Sequence, residues 1–478
     1  MRDYQKFYID GAWVDPVEPR LLEVINPASE AIAGHISNGS SADVDRAVVA
    51  ARKAFASFSL TSRQARLALL QRIAEVFESR LDDVAQAVTE EMGAPAAFSR
   101  RAQAGIGLRH LNTAIEVLKT YRFDEDRGQT RIAREPIGVC GFITPWNWPI
   151  NQMVCKIAPA LAVGCTVILK PSEIAPFSAQ ILTEILHAAG VPPGVYNMIN
   201  GDGPSVGAAL SAHPDIDMIS FTGSTRAGVE VAKAAAPTVK RVAQELGGKS
   251  PFLILPDADL EAAVTGGVQH VMQSTGQSCN APTRMLVQTG QMEAAVAIAK
   301  RVAEEVSVGD PNGNAAMGPV VSQTQWDKIQ ALIQVGVDEG AQLVTGGVGK
   351  PEGLETGYYV KPTVFAGVTN TMTIAREEIF GPVLAMLAYD TVETGVSVAN
   401  DTEYGLAAYV WGGDLARARA VAGQLRAGQV AINGAGGDMM APFGGYKRSG
   451  NGREWGDHAF AEFLEVKAMI GYFPAAAE

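Results

Sequence analysis

The sequence predicts an α/β protein whose strands form parallel sheets. Short β-branched runs alternate with amphipathic stretches over much of the chain, which is the pattern of parallel strands joined by helices. The 478 residues are 47% hydrophobic and 19% charged, a composition typical of a folded protein with a sizeable core. A chain of this length has room for about three domains of ordinary size.

Two helices are predicted before the alternation becomes regular. Ser40 to Phe58 begins with a capping serine and a box-like Asp43, and its apolar residues recur on one face. A second apolar stripe runs from Leu67 to Leu81. We expect both stripes to pack into the core and not to form a binding surface.

From residue 138 onward, strands and helices alternate regularly. Pro149 opens one predicted helix, and Pro176 opens another that stops at Gly190, because proline fits the first helical position. A second α/β block begins near Ser250. The predicted strands of the two blocks are Val139–Ile143, Thr166–Leu169, Val195–Ile199, Met218–Phe221, Phe252–Leu255, Met285–Val287 and Gln429–Ile432.

Two segments break this rhythm. Tyr121–Asp124 and Thr130–Glu135 flank a polar turn and predict a β-hairpin, and apolar residues alternate with others from Leu464 to Ile470 as in a strand. A hairpin and a terminal strand favour edge pairing between subunits, with an internal sheet as the alternative.

Charge and hydropathy narrow the classes of partner and the compartment. The net charge of -12 argues against nucleic acid or an anionic membrane as the main partner, because both attract basic surfaces. Met1 to Asp10 lacks the apolar core of a signal peptide, and the longest apolar stretch, Ile157 to Leu169, is shorter than the about 20 residues that cross a bilayer. We expect a cytoplasmic protein.

Metal and phosphate motifs are missing. The four cysteines have no C-x-x-C spacing and the six histidines no H-E-x-x-H pairing, so we expect neither a disulfide framework nor a metal site. In Gly201-Asp202-Gly203 the third glycine of a dinucleotide fingerprint is replaced by Val206, and Gly248-Lys249-Ser250 has Ala243 where a P-loop begins with glycine.

Cys279 and Glu245 form the most informative pair in the chain. A thiolate can attack a carbonyl carbon to form a covalent intermediate, and a separate carboxylate can then activate the water that releases it. Either residue alone has a plain structural interpretation, as a buried cysteine or a solvated strand end.

Seven blocks in a fixed order give these two residues their context. With them, the chain resembles the NAD(P)-dependent aldehyde dehydrogenase superfamily from Asn26-Pro27-Ala28 to Leu464-Glu465-Val466-Lys467. The blocks are Pro145-Trp146-Asn147-Trp148-Pro149, Lys170-Pro171-Ser172-Glu173, Phe221-Thr222-Gly223-Ser224-Thr225, Glu245-Leu246-Gly247-Gly248-Lys249, Gly276-Gln277-Ser278-Cys279-Asn280, Glu378-Ile379-Phe380-Gly381-Pro382 and Pro442-Phe443-Gly444-Gly445-Tyr446-Lys447.

The resemblance implies a fold of two α/β domains and a small β arm. Residues 1–118 and 137–247 would form a Rossmann-like NAD-binding domain, and residues 248–447 the catalytic domain. Residues 119–136 and 448–478 would form the oligomerisation arm and the C-terminal segment of a homodimer or homotetramer.

The resemblance also implies roles for individual residues. Cys279 would be the nucleophile, Glu245 the general base and the Asn147 amide an oxyanion donor, with Lys156 and Glu454 on a proton path. The cofactor would contact Thr144, Trp146, Lys170, Ser172, Glu173, Thr222, Gly223, Ser224, Leu246, Gly247, Glu378 and Phe380. The aldehyde tunnel would be lined by Trp148, Asn151, Gln152, Cys155, Ser278 and Asn280.

Two of these positions bear on the choice of cofactor. Phe221–Thr225 is a strand that runs into a helix N-terminus, which can bind pyrophosphate; taken alone, the block would indicate an ordinary helix cap by Ser224. Glu173 favours NAD over NADP, because unit charges about 4 Å apart repel by roughly 4 kcal/mol at an effective dielectric of 20.

The implied tunnel is neutral, so we expect an uncharged aliphatic or aromatic aldehyde rather than a dicarboxylic semialdehyde. Glu245 indicates hydrolysis of the thioester, because the branch that transfers it to coenzyme A lacks this carboxylate. Two alternatives stay open: a cysteine-dependent esterase with His270 or His458 beside Cys279, and a catalytically silent structural protein on the same fold.

Overall fold

A computed structural model of the chain describes residues 1–474 and contains two large mixed sheets. The first has eight strands, of which the central five are parallel and the outer three antiparallel to their neighbours. Its strands, in spatial order, are β20 (Gly450–Asn451), β12 (Arg241–Glu245), β11 (Met218–Thr222), β8 (Val139–Ile143), β9 (Thr166–Lys170), β10 (Tyr196–Met198), β2 (Phe7–Ile9) and β3 (Ala12–Val14).

The second large sheet has seven strands, all parallel except the edge strand Gln342–Thr345. Every residue of β8, β9 and β11 in the first sheet is buried, and so are Met285–Val287 in the second. Because these strands are covered on both faces, they are largely apolar runs in the sequence. The strands of the second sheet are β15 (Gln342–Thr345), β16 (Thr363–Ala366), β17 (Val383–Tyr389), β14 (Arg284–Gln288), β13 (Pro251–Ile254), β18 (Ala407–Trp411) and β19 (Gln429–Ile432).

Helices cover the faces of both sheets. The described helices are α1 (Ser41–Phe58), α2 (Arg63–Ser79), α3 (Leu81–Met92), α4 (Ala96–Phe98), α5 (Gly105–Thr120), α6 (Pro149–Val163), α7 (Phe177–Ala188), α8 (Ala208–Ala212), α9 (Thr225–Ala235), α10 (Leu260–Met272), α11 (Met292–Glu304), α12 (Gln323–Asp338), α13 (Thr373–Arg376), α14 (Val392–Asn400), α15 (Leu415–Ala422) and α16 (Gly456–Glu462).

The predicted helix starts are confirmed, and one predicted stripe is divided. Ser40 precedes α1 and donates its backbone N–H to the Asp43 carboxylate over 3.0 Å, as the capping box predicts. Pro149 is the first residue of α6. The second apolar stripe ends at Ser79, because Arg80 leaves the helical conformation and Leu81 begins α3.

Two three-stranded sheets complete the fold. One is formed near the N-terminus by β1 (Arg2–Tyr4), β5 (Ile32–Ser37) and β4 (Leu21–Ile25). The other, here called the arm, is formed by β21 (Leu464–Met469), β7 (Thr130–Pro136) and β6 (Asp124–Arg127), with β7 in the middle. The terminal strand therefore pairs with the hairpin of its own chain.

The first strand of the hairpin lies three residues later than predicted. We expected Tyr121–Asp124, with residues 125–128 as the turn, but Asp124–Arg127 pairs with Thr130–Ala133. The turn is Gly128-Gln129, and Gly128 has a φ of +58° that suits glycine. Asp126 belongs to the ribbon because it pairs across the strands with Arg131 at 2.7 Å.

The C-terminal segment contributes to more than the arm. Gly450–Asn451 adds an antiparallel strand to the first large sheet beside β12, and α16 packs against α5 and α6. β21 joins the arm, and Phe473 beyond it donates its backbone N–H to the Gln129 carbonyl of the hairpin turn over 3.2 Å. Arg241 holds this junction by donating to the carbonyl groups of Glu462 and Leu464. The alanine-rich tail noted in the sequence, residues 475–477, lies outside the described residues.

Candidate active site

The predicted catalytic residues approach one another from the carboxyl ends of strands and from a loop of the second sheet. Asn147 follows β8, Glu245 ends β12, and Cys279 lies between α10 and β14. All three line one cleft of about 200 Å³. Its lining residues are Pro145, Trp146, Asn147, Gln152, Thr222, Gly223, Ser224, Glu245, Leu246, Gly247, Cys279, Gln325, Lys328, Glu378 and Phe380.

The loop that carries Cys279 is strained and closely packed. Ser274 and Thr275 both have φ between 50° and 58°, a region that non-glycine residues rarely adopt. The buried Gln277 side chain braces the loop by accepting from Val321 N at 2.9 Å. A Cβ on Gly248 would lie 2.3 Å from the Cys279 carbonyl oxygen, so glycine is required where the β12 loop meets the nucleophile loop.

The Asn147 side chain is held in a defined orientation. Its amide nitrogen donates one N–H to the Gln277 carbonyl over 3.0 Å, and Gln103 donates to the Asn147 backbone oxygen over 3.0 Å. The second amide N–H makes no hydrogen bond to any of residues 1–474. Because Asn147 lines the same cleft as Cys279, this N–H is available to an oxygen bound there.

Cys279 is half-buried, and its surroundings disfavour the thiolate. Burial raises the pKa of the Cys279 thiol well above its usual range, and the carboxylates of Glu378, Glu245 and Glu454 raise it further. Attack by this sulfur therefore requires a group that accepts its proton.

Glu245 has the properties of a proton acceptor. It is 5% exposed, and neither carboxylate oxygen has a hydrogen-bond partner in the described chain. Burial, followed by the nearby Glu454 carboxylate, raises the pKa of Glu245 well above its usual value. A Cβ on Gly444 would lie 2.8 Å from Glu245 Oε1, so this glycine leaves room for the carboxylate.

Lys156 and Glu454 form a buried ion pair behind Glu245. Lys156 also donates to Thr222 Oγ1 over 2.8 Å. Burial alone would lower the pKa of Lys156, but the attraction of Glu454 raises it, so the ammonium stays charged. A cavity of about 10 Å³ is lined by Lys156, Glu454 and Glu245, which is room for about one water molecule.

Eight of the twelve predicted cofactor residues line the cleft; they are Trp146, Thr222, Gly223, Ser224, Leu246, Gly247, Glu378 and Phe380. Ser224 caps α9 by accepting from Ala227 N, and Glu378 accepts from Gly248 N over 2.8 Å. The rings of Trp146 and Phe380 pack edge to face with their centroids 5.4 Å apart.

The other four predicted cofactor residues lie beyond the lining of the cleft, at or just after the ends of β8 and β9. Thr144 follows β8 and donates its backbone N–H to the Lys170 carbonyl over 3.1 Å. Lys170 ends β9, and its ammonium donates to Glu173 over 3.0 Å. The Ser172 hydroxyl accepts from Ile174 N. The eight residues that line the cleft and these four residues thus lie at the ends of neighbouring strands, which is where doubly wound sheets bind ligands.

The predicted tunnel residues are not brought together by one cavity. Only Gln152 lines the cleft, and its amide oxygen has no partner among residues 1–474. Trp148 donates to the Ser278 hydroxyl over 2.8 Å. Asn151 contacts His110 at 2.6 Å.

The two remaining tunnel residues make contacts outside the cleft. The Asn280 carbonyl accepts from the Tyr409 hydroxyl over 2.9 Å. Cys155 differs from the prediction, because its thiol lies in the small cavity with Lys156 and Glu454.

Several residues of the site escaped the sequence analysis. Gln325 and Lys328, both from α12, line the cleft and donate to the carbonyls of Phe380 and Glu378 over 2.8 Å. The buried Ser449 hydroxyl donates to the Gly247 carbonyl over 2.6 Å and accepts from Gly405 N. No local pattern marks these residues, because each contact joins segments far apart in the sequence.

Some groups considered in the sequence lie away from the cleft. His270 packs against Tyr409, and His458 lies 4.0 Å from Asp457; neither lines the cleft. Residues 1–474 contain no group of three or more acidic, histidine or cysteine side chains placed to hold a metal ion. Within the same range, no helix is both long and apolar enough for a membrane span.

Comparison with known proteins identifies the family. The sequence profile described as the aldehyde dehydrogenase family matches residues 13–469. A 3-succinoylsemialdehyde-pyridine dehydrogenase from a Pseudomonas species is 57% identical over 474 residues, with 99% of each chain covered. The crystal structure of a mutant aldehyde dehydrogenase C from Pseudomonas syringae, with NAD+ and octanal, is 53% identical. It aligns with a TM-score of 0.98 and covers 99% of this chain and 98% of its own.

A second solved structure agrees. The aldehyde dehydrogenase of Bartonella henselae is 49% identical, with a TM-score of 0.97 and coverage of 98% and 100% of the two chains. The chain therefore belongs to the aldehyde dehydrogenase family and has its fold. It is an enzyme, and its reaction is the oxidation of an aldehyde with NAD.

Proposed function

We propose that this dehydrogenase converts an uncharged aldehyde to a carboxylic acid by covalent catalysis at Cys279. One observation carries the proposal: Cys279, Asn147 and Glu245 line the same cleft as eight residues expected to contact the cofactor. The cleft therefore holds a nucleophile, an oxyanion donor and a general base together, as this chemistry requires.

The first step joins the Cys279 sulfur to the aldehyde carbon. Glu245 accepts the thiol proton, since its raised pKa suits it to this role. The carbonyl oxygen becomes an alkoxide, and its charge is stabilised by the free amide N–H of Asn147 and the backbone N–H of Cys279. Removal of one such donor typically costs roughly 3 kcal/mol of transition-state stabilisation.

The residues of the cleft fit NAD. The N-terminus of α9 offers free N–H groups to a pyrophosphate, and Glu378 is a half-buried acceptor for a ribose hydroxyl. Glu173 at the end of the neighbouring strand disfavours the 2′-phosphate of NADP. When bound, the nicotinamide ring accepts the hydride that leaves the tetrahedral carbon, which turns the Cys279 adduct into a thioester.

Hydrolysis then restores the enzyme. Once it has released the thiol proton, Glu245 takes a proton from water as the water oxygen bonds to the thioester carbon, and the C–S bond breaks to release the acid and the Cys279 thiolate. The proton leaves Glu245 through the buried pair of Lys156 and Glu454, which lies across a cavity large enough for one water molecule.

The substrate carries no charge in its tail. The cleft is lined by two carboxylates, the buried Glu245 and the half-buried Glu378, and a carboxylate on the substrate would be disfavoured beside them. The relatives are consistent with this choice, since one is named for a pyridine-bearing semialdehyde and another was solved with octanal.

Assembly and compartment complete the proposal. Residues 1–118 and 137–247 bind the cofactor, residues 248–447 supply the nucleophile, and the arm joins subunits into a homodimer or homotetramer. The exposed apolar side chains of Val466 and Ile470 beside the arm support this association. The four free cysteines fit a reducing compartment, so we place the enzyme in the cytoplasm.

A variant of Glu245 tests the covalent mechanism. We expect Glu245→Gln to give a single burst of reduced nicotinamide that is slower than that of the parent, because solvent water must then accept the thiol proton, and turnover then stops because hydrolysis stalls. Cys279→Ala should give no burst at all. The measurement is rapid-mixing absorbance with hexanal and NAD. Steady-state turnover of Glu245→Gln at the parental rate would contradict the role of the base.

The esterase alternative has less support. A cysteine hydrolase needs a base beside its thiol, and neither His270 nor His458 lines the cleft of Cys279. The silent-protein alternative conflicts with the presence of Cys279, Glu245 and Asn147 in one cleft. Incubation with an ester alone, and with hexanal plus NAD, separates these classes from the dehydrogenase.

A further inference from the structure

Cys155 lies in a different place from the one expected of a tunnel residue. It is the seventh residue of α6 and 2% exposed. The cavity that it lines is the small one behind Glu245, together with Lys156 and Glu454, and it does not line the cleft of Cys279. Its side chain therefore faces the proton path and not the aldehyde.

The Cys155 thiol completes the set of groups that hold Glu454. The sulfur lies 3.4 Å from Glu454 Oε2 and donates its proton to it, while Lys156 pairs with Oε1 of the same carboxylate. Lys156 is fixed in turn by Thr222 at 2.8 Å. Both oxygens of Glu454 are thus occupied by donors on consecutive residues of one helix, which sets the plane of the carboxylate.

The thiol can serve as a constant donor. Burial raises the pKa of Cys155 well above its usual value, and the Glu454 carboxylate raises it further. The sulfur therefore keeps its proton at neutral pH, which makes it a hydrogen-bond donor and not a second nucleophile.

The cavity beside these groups connects them to the catalytic base. Its volume of about 10 Å³ is enough for about one water molecule, and such a water needs two or more polar partners. Glu245 offers two buried oxygens without partners in the described chain, and Glu454 faces the same space. One water can therefore bridge the two carboxylates only if Glu454 keeps its orientation.

We propose that Cys155 is a positioning residue for proton release: it orients Glu454 so that the proton taken up by Glu245 during thioester hydrolysis can pass to it through one water. The inference rests on the proposed roles of Glu245, Lys156 and Glu454. It involves no covalent change at Cys155; one proton moves from Glu245 to water and from water to Glu454.

The test compares two replacements of Cys155 by rapid-mixing and steady-state kinetics with hexanal and NAD. Cys155→Ala removes the donor, so we expect an unchanged burst, a kcat lower by about fivefold to tenfold, and a larger solvent deuterium isotope effect on kcat. Cys155→Ser keeps a donor and should recover part of the kcat and the smaller isotope effect.

Cys140→Ala is the matched control, because Cys140 is a buried thiol on β8 without contact to Glu454. Its burst, kcat and isotope effect should equal those of the parent. Parental kcat and isotope effect in Cys155→Ala, equal losses in both alanine variants, or no recovery with serine would each overturn the inference. Normal turnover of Glu245→Gln would instead refute the proposed hydrolytic role itself.

Discussion

At the scale of single residues, the chemistry of the cleft depends on carboxylates that burial has made poor anions. Glu245 has no hydrogen-bond partner within residues 1–474, and its pKa is raised by burial and by Glu454. Glu378 lines the same cleft half-buried, and desolvation there raises its pKa as well. These two groups make the cleft suitable for proton transfer and unfavourable for an anionic tail.

This arrangement predicts the order of substrates. We expect a kcat/KM for hexanal and for benzaldehyde at least about tenfold above that for succinic semialdehyde, since a carboxylate buried without a partner is costly. Initial rates with NAD at several concentrations of each aldehyde provide the measurement. A higher kcat/KM for succinic semialdehyde than for either neutral aldehyde would contradict the substrate class.

Sequence reasoning predicts individual residues well where chemistry is local. Cys279, Glu245 and Asn147 lie in recognisable blocks, and all three line the cleft. Cys155 could not be placed correctly, because the residue type and its position on a helix do not say which cavity the side chain faces. Ser449 could not be found at all, since its hydroxyl contacts a segment about 200 residues away.

At the scale of elements, one buried carboxylate connects the helices α3 and α7. Glu91 of α3 accepts hydrogen bonds from the backbone N–H groups of Phe177 and Ser178, which begin α7. An anion at a helix N-terminus is favoured by the helix dipole. Burial nonetheless raises the pKa of Glu91 to about 7, although these hydrogen bonds oppose the shift.

The raised pKa gives this contact a pH dependence. Between about pH 4.5 and 7 the unfolded chain has an ionised Glu91 and the folded chain a protonated one, so stability falls as the pH rises through this window. Glu91→Gln removes this pH dependence and keeps one hydrogen-bond acceptor. The free energy of unfolding of the variant minus that of the parent should therefore rise by up to about 3 kcal/mol from pH 5 to pH 8.

Urea denaturation at pH 5 and pH 8 provides the measurement, with Glu90→Gln as the control for loss of one carboxylate from α3. If the free energies of unfolding of Glu91→Gln and the parent differed by the same amount at both pH values, a raised pKa of Glu91 in the folded chain would be contradicted.

The elements themselves were largely predictable. The strand Val139–Ile143 is apolar throughout and the proline-led helix α6 is mostly apolar, and their boundaries coincide with glycine, proline or polar residues. The hairpin was misplaced by three residues because Glu125, Asp126 and Arg127 have the composition of a turn. The carboxylates of Asp126 and Glu125 are paired across the ribbon with Arg131 and Arg134, which only the strand pairing reveals.

At the scale of the whole molecule, the arm is the feature least explained by a single chain. Val466 is 67% exposed and Ile470 86% exposed, and β21 forms one edge of a three-stranded sheet. Because a free strand edge with exposed apolar side chains can pair with another chain, we propose this edge as the association surface.

We therefore expect the Val466→Glu/Ile470→Glu double variant to lower the molar mass of the assembly, because two carboxylates would have to be buried at the contact. Light scattering coupled to gel filtration gives the mass. Leu60→Glu, which alters an exposed apolar residue outside the arm, is the control and should keep the parental mass. An unchanged mass of the double variant would contradict association through this surface.

The path of the C-terminal segment has one more consequence. Ser449 and Glu454 are supplied by the end of the chain, after the strand order of both large sheets is otherwise complete. The same segment places Phe460, Phe463 and Leu464 in the hydrophobic core, so truncation before residue 449 would remove this packing together with the Glu454 carboxylate of the proposed proton path.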